Sequence, residues 1–148
     1  MKLVEVAGDD AMLAICQNAY FSEISERFGV SFDPHAGESD DLSQARQWHV
    51  LAMDGEVSLG CGSLRDLGDG IGEVKRVWVS GAARGRGVAG QVMTWLEAKG
   101  AEAGFFTLRL DTHGSLIEAQ AMYRKRGYRE IVRYNDNPYA QHWFEKAL

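Results

Sequence analysis

The sequence predicts an α/β fold of the mixed α+β type, with a central mixed and mostly antiparallel sheet flanked by helices. Three observations predict it. Strand-like runs at residues 47–53, 56–64 and 73–79 are separated only by Asp54-Gly55 and by the LGDGI turn at residues 67–71, as in a β-meander. Val88, Val92, Trp95 and Leu96, together with Ala89 and Met93, then recur at helical spacings of three and four. An alternating run at residues 105–111 (FFTLRLD) follows that helix, so a strand-helix-strand crossover completes the sheet.

Taken in order, Lys2–Val6 alternates polar and apolar side chains as a short strand does. Asp9 or Asp10 can N-cap a helix running to about Arg27 that Gly29 closes, with a break near Tyr20 left open. Residues 31–43 form a polar loop ahead of the meander. Beyond the crossover, Ser115, Leu116, Ile117 and Glu118 have the spacing of a capping box, opening a helix that Gly127 ends. Residues 128–134 and 141–146 read as two final strands. The second offers an edge for pairing across a dimer, and monomer and homodimer both fit.

One domain, spanning 1–148, accounts for the whole chain of 148 residues. Hydrophobic residues at 45% and charged residues at 25% give the balance of a packed globular chain, not of a disordered one. The early apolar run at residues 11–16 is far shorter than the ~20 residues of a membrane span. Residues 1–10 carry no cationic-then-apolar signal, so a cytoplasmic protein without membrane contact is expected. A net charge of −5 argues against nonspecific nucleic-acid binding. That charge is unevenly spread: residues 1–60 hold eleven acidic side chains against Lys2, Arg27 and Arg46, while residues 61–148 hold ten against thirteen basic ones. An acidic first part and a basic second part suit a protein that holds a polyanion with one half. Cys16 and Cys61 are too few and too far apart for a metal site, so no metal is expected and both are read as buried free thiols.

The segment with the sharpest chemical meaning runs from Val77, Trp78 and Val79 through Arg84, Gly85, Arg86 and Gly87 to Val88, Ala89 and Gly90, a strand, a turn and a helix start. Gly85 and Gly87 let backbone approach an anion closely, and the free amides and dipole of the helix N-terminus favour phosphate there. Arg84 and Arg86 add fixed positive charge. Residues 85–90 also spell GxGxxG, with Asp111 about twenty residues on, which is a dinucleotide fingerprint. Position argues against a nicotinamide module, because several meander strands precede the turn and one more helix follows it. No GK[ST] occurs, so a nucleoside-triphosphate loop is excluded.

Read as RxxGxA, residues 84–89 resemble the acyl-CoA pyrophosphate motif of the GNAT superfamily of N-acetyltransferases. Glu73 stands six residues before Val79 on the strand entering the motif, and AxxxYxxxGY runs from Ala119 through Tyr123 to Gly127 and Tyr128. The resemblance implies a sheet splayed between its fourth and fifth strands, with about six to seven strands in all. It also implies direct acetyl transfer from acetyl-CoA to an amine acceptor, a small molecule or a protein amino group, with no covalent acyl-enzyme. Glu73 takes the place of the general base, and Tyr123 that of a cofactor-binding residue whose phenol lies beside the CoA sulfur and acts as the acid that protonates the leaving thiolate. Val77, Trp78, Val79 and residues 84–90 take the place of the cofactor-binding strand and turn.

Many members carry an Asn ahead of the Tyr123 helix where this chain has His113, Gly114 and Leu116, which makes His113 a candidate replacement contact. Lys125 and Arg126 are candidates for the CoA 3′-phosphate. On the acceptor side, Tyr20, Phe21, Phe28 and Phe32 suit an apolar wall and Arg27 a carboxylate partner, whereas Glu38, Asp40 and Asp41 suit a cationic amine. Residues 135–139 complete that side. Trp48, Trp78, Trp95 and Trp143 are read as packing. A second reading is a non-catalytic acyl-CoA-binding sensor with the same cradle.

Overall fold

The computed structural model describes residues 1–29, 31, 33, 36 and 44–148. Among these residues seven strands form one sheet in the order β1-β2-β3-β4-β5-β7-β6. They are β1 (Lys2–Val6), β2 (Gln47–Asp54), β3 (Val57–Gly68), β4 (Ile71–Val79), β5 (Thr107–Thr112), β6 (Arg129–Ile131) and β7 (His142–Ala147). Among the described residues, three α-helices accompany them, α1 (Ala11–Phe28), α2 (Val88–Glu102) and α3 (Ile117–Lys125), with a short 3-10 turn at Gly81–Ala83. All pairings are antiparallel except β4 with β5, as expected for a meander followed by one crossover.

The period of two along β2 sorts its side chains to opposite faces. Val50 and Ala52 join Val88, Val92, Met93 and Leu96 of α2 in the larger core, while Leu51 joins Leu13 and Cys16 of α1 in a smaller one. Helices therefore cover both faces. α2 packs closely over Gly62, since a Cβ there would stand 2.7 Å from a methyl of Val92. Cys16 and Cys61 are buried free thiols in the smaller core.

Helix α1 is continuous through Tyr20, capped by the Asp10 carboxylate on the Leu13 amide at 3.0 Å and closed by Gly29 at φ 66°. Four expectations are corrected. β3 continues to Gly68, because Asp69 and Gly70 both take positive φ and make the turn two residues wide. The capping box at Ser115 does not form: the Ser115 hydroxyl lies 2.8 Å from His113 Nδ1, and α3 begins only at Ile117 without a side-chain cap. The strand expected at residues 128–134 pairs only over Arg129–Ile131. The strand at residues 141–146 is not an edge, because β7 lies between β5 and β6. Among the described residues no helix is long and apolar enough to cross a membrane.

Candidate active site

β4 and β5 pair only at Ile71–Thr107, Gly72–Leu108 and Glu73–Arg109, and beyond Glu73 they part. Arg76 follows at φ 56°, where the pairing of β4 with β3 skips between Cys61 and Ser63, so a β-bulge turns the strand away. A left-handed non-glycine residue in a strand is strained and is held by its surroundings. The gap opens into a cavity of about 330 Å³ that reaches both faces of the sheet. Glu73, Val77, His113, Phe28 and Tyr123 all border it.

Glu73 is 1% exposed and fixed from two sides. Arg65 Nη2 donates to its Oε1 at 2.6 Å, and the Tyr134 hydroxyl donates to Oε2 at 2.6 Å. Arg65 and Glu73 are register partners across the β3–β4 hairpin, so the turn at residues 69–70 itself puts them side by side. Burial, then the charges of Glu73 and Asp111, push the Tyr134 phenol up, keeping it a donor.

Asp111 supplies a second buried carboxylate. Asn135 Nδ2 reaches its Oδ2 at 2.5 Å, Asn137 Nδ2 its Oδ1 at 3.1 Å, and Lys75 Nζ lies 3.9 Å away. Tyr123, on α3, borders the same cavity from the other face. Burial, then the charge of Asp111, push its phenol up, so it is protonated at neutral pH. Its hydroxyl makes no hydrogen bond among the described residues.

The glycine turn lies beside this cavity, along the groove bordered by Val79, Arg84, Gly85, Val88, Ala89, Gly90, Lys125 and Arg126. Gly85 and Gly87 have φ of 80° and 76°, and a Cβ on either would stand in open space above the turn. The first intrahelical bond of α2 is made by the Gln91 amide to Gly87 O at 3.2 Å, so the amides of Val88, Ala89 and Gly90 precede the helical ladder. Donor, dipole and room coincide, as a diphosphate requires. Arg126 is held at this groove by Glu97 at 2.7 Å. Asp111 borders the other cavity, so it is not placed to hold a ribose bound at the turn.

Some expected residues sit elsewhere. The guanidinium of Arg84 binds Glu23 of α1 and the Val79 carbonyl, and that of Arg86 lies 4.0 Å from Asp54, so neither cation is turned solely toward the groove. The Trp78 indole points to α1, donating to Glu23 at 2.5 Å, because alternation along β4 sends it opposite Val77 and Val79. Arg27 pairs with Glu118 at 3.6 Å and does not border the cavity, whereas Phe28 does, with its ring 3.9 Å from that of His113. Burial pushes the imidazole of His113 down, and its Nδ1 accepts the Ser115 amide at 3.0 Å. Phe32, Glu38, Asp40 and Asp41 lie outside the described residues. Residue spacing alone missed Arg65, Tyr134 and Trp143. Counting outward from the 69–70 turn finds the first; nothing local marks the other two.

The sequence profile described as the acetyltransferase (GNAT) family matches residues 15–128. The chain is 35% identical over 100 residues to the uncharacterized N-acetyltransferase YjcF of Bacillus subtilis strain 168, which covers 66% of each protein. It is 34% identical over 80 residues to the IAA acetyltransferase of Azospirillum brasilense, covering 53% of this chain and 52% of that one. The aligned segments thus span about two thirds and about half of these two relatives. A solved acetyltransferase of the GNAT family from Staphylococcus aureus Mu50 superposes over 99% of both chains with a TM-score of 0.80 at 15% identity. With the splayed sheet and the glycine cradle, the matched span makes the chain a member of the GNAT acetyltransferase family.

Proposed function

We propose that residues 1–148 form one catalytic domain that transfers an acetyl group from acetyl-CoA directly to an amine acceptor, a small molecule or a protein amino group. The observation that carries this reading is the single cavity through the parted strands, with Glu73 on one side, Tyr123 on the other and the phosphate cradle adjoining. Acetyl-CoA supplies the acetyl thioester; the chain supplies position and protons. The parted edge of β4 beyond Glu73 offers backbone groups to an extended arm, as an added strand would use them. An alkylamine with a pKa near ~10 is mostly protonated at neutral pH, so a base must act before its nitrogen bonds to the carbonyl carbon. Glu73 accepts that proton. As the carbon–sulfur bond breaks, the Tyr123 hydroxyl gives its proton to the departing sulfur.

Thermal shift with acetyl-CoA, CoA, NAD and ATP, followed by thiol release across a panel of amines, tests this. A ligand at 100 times its dissociation constant adds ~2.7 kcal/mol, a rise of several degrees for a domain of this size. Stabilisation by acetyl-CoA and CoA, with amine-dependent thiol release, is the expected result. Stabilisation without turnover for any amine favours the sensor reading, and stabilisation by NAD alone rejects both.

A further inference from the structure

We propose that Asn135 is a positioning residue that holds Glu73 and Asp111 in one fixed arrangement, so that proton acceptance by Glu73 depends on the Asn135 side-chain amide. The inference rests on the proposed acetyl transfer. Its starting point is the orientation of the Asn135 amide. An indole N–H can only donate, and Trp143 Nε1 lies 2.9 Å from Asn135 Oδ1, which identifies that atom as the oxygen. The Asn137 backbone amide donates to the same oxygen at 3.3 Å. The Nδ2 group is therefore forced toward the two carboxylates, 2.5 Å from Asp111 Oδ2 and 3.4 Å from Glu73 Oε2.

Two carboxylates on strands that have just parted repel each other, and backbone pairing no longer fixes their spacing. The amide bridges them with two donors and adds no charge. Among the described residues, the other charged or titratable groups facing the pair include Arg65 from β3, Lys75 and Arg76 from β4, Tyr20 from α1 and Tyr123 from α3. Arg109 of β5, paired with Glu145 of β7, lies over the Tyr134 ring, and Tyr134 donates to Glu73. Asn135 touches both carboxylates through one side chain.

Asn135→Asp keeps the shape and turns the donor into a third carboxylate. Its folded pKa must lie above the ordinary ~3.9, so the variant loses stability as pH rises above that value. Thermal midpoints of wild type and variant from pH 4 to pH 8 read this directly, without any activity. A midpoint deficit that widens with pH supports the bridge, and a constant deficit overturns it. With an amine that the wild type acetylates, the acid limb of kcat/KM moves up by at least one pH unit, while KM for acetyl-CoA stays within twofold. A folded variant whose limb stays within 0.3 unit, however low its rate, overturns the positioning role. If the wild type acetylates no amine yet the pH-dependent deficit appears, the bridge stands and the proposed reaction fails instead.

Discussion

Replacing Tyr123 by Phe removes one oxygen from the proposed reaction and little else from the fold. The ring is 7% exposed and packs against Tyr128 and Phe144, with centroids 5.9 and 6.3 Å apart, and Phe keeps those contacts. Because the hydroxyl makes no hydrogen bond among the described residues, its loss strands no partner, and the melting temperature is expected to stay within ~2 °C. CoA affinity should change less than about threefold, since the phosphates bind at the glycine groove, which Tyr123 does not border, and Phe keeps the ring beside the sulfur. Turnover should fall 10²- to 10⁴-fold, which is ~3–5 kcal/mol in the barrier. The assay is thiol release at saturating acetyl-CoA across pH. A leaving thiol with a pKa near ~8.5 departs as thiolate without help in alkaline solution, so the deficit should shrink above that pH. A loss below about threefold at neutral pH, in a variant that still binds CoA, would refute the acid role.

Glu73→Gln removes the charge that faces Arg65 at 2.6 Å in a site where the two side chains are 2% and 10% exposed. Breaking such a buried pair costs ~3 kcal/mol, a fall of ~10 °C, and adding Arg65→Met should recover most of it; unchanged turnover at neutral pH would sink the base role. Gly87→Ala places a side chain at φ 76°, costing ~1 kcal/mol of backbone strain and about tenfold in CoA affinity by calorimetry. An unaltered affinity would place the phosphates elsewhere. Burial pushes the Glu97 carboxyl up, but hydrogen bonds from Arg126 and Tyr128 more than reverse this, so it titrates below its ordinary 4.5. Its stabilisation is present above that value and is lost as pH falls through the lowered one. Glu97→Gln should therefore flatten the acid limb of the melting curve, and an equally steep limb would contradict the pairing.

Elements set by local chemistry were legible in the sequence. The Asp10 cap, the turn glycines and the spacing of Val88, Val92 and Leu96 each act within a few residues, and each appears where expected. What failed was decided by distant partners. Ser115 lost its capping role to the ring of His113, and the guanidinium of Arg84 is engaged by Glu23, 61 residues away. The place of β7 between β5 and β6 depends on strand order, which alternation does not encode. At the candidate site, Glu73 and Tyr123 were visible because a motif surrounds each. Asn135 was visible only as part of a loop, because what orients it is the indole of Trp143.

The parting of β4 and β5 explains why the polar network is where it is. A parallel pair that ends after three residues leaves the facing edges of both strands without ladder partners, at the centre of a sheet whose two faces are otherwise packed. Apolar side chains filling the gap would bury those edges unsatisfied. Charged and amide side chains that satisfy one another keep the strands apart without collapse. In the proposed reaction the pantetheine arm then meets β4 as an added strand. Its thioester arrives between the face carrying Glu73 and the face carrying Tyr123, so one opening delivers the acetyl group to both proton-handling side chains. On this account stability and turnover are coupled through the same contacts. Substitutions that close the gap should raise the melting temperature while weakening CoA binding, the opposite of what a purely structural network would give.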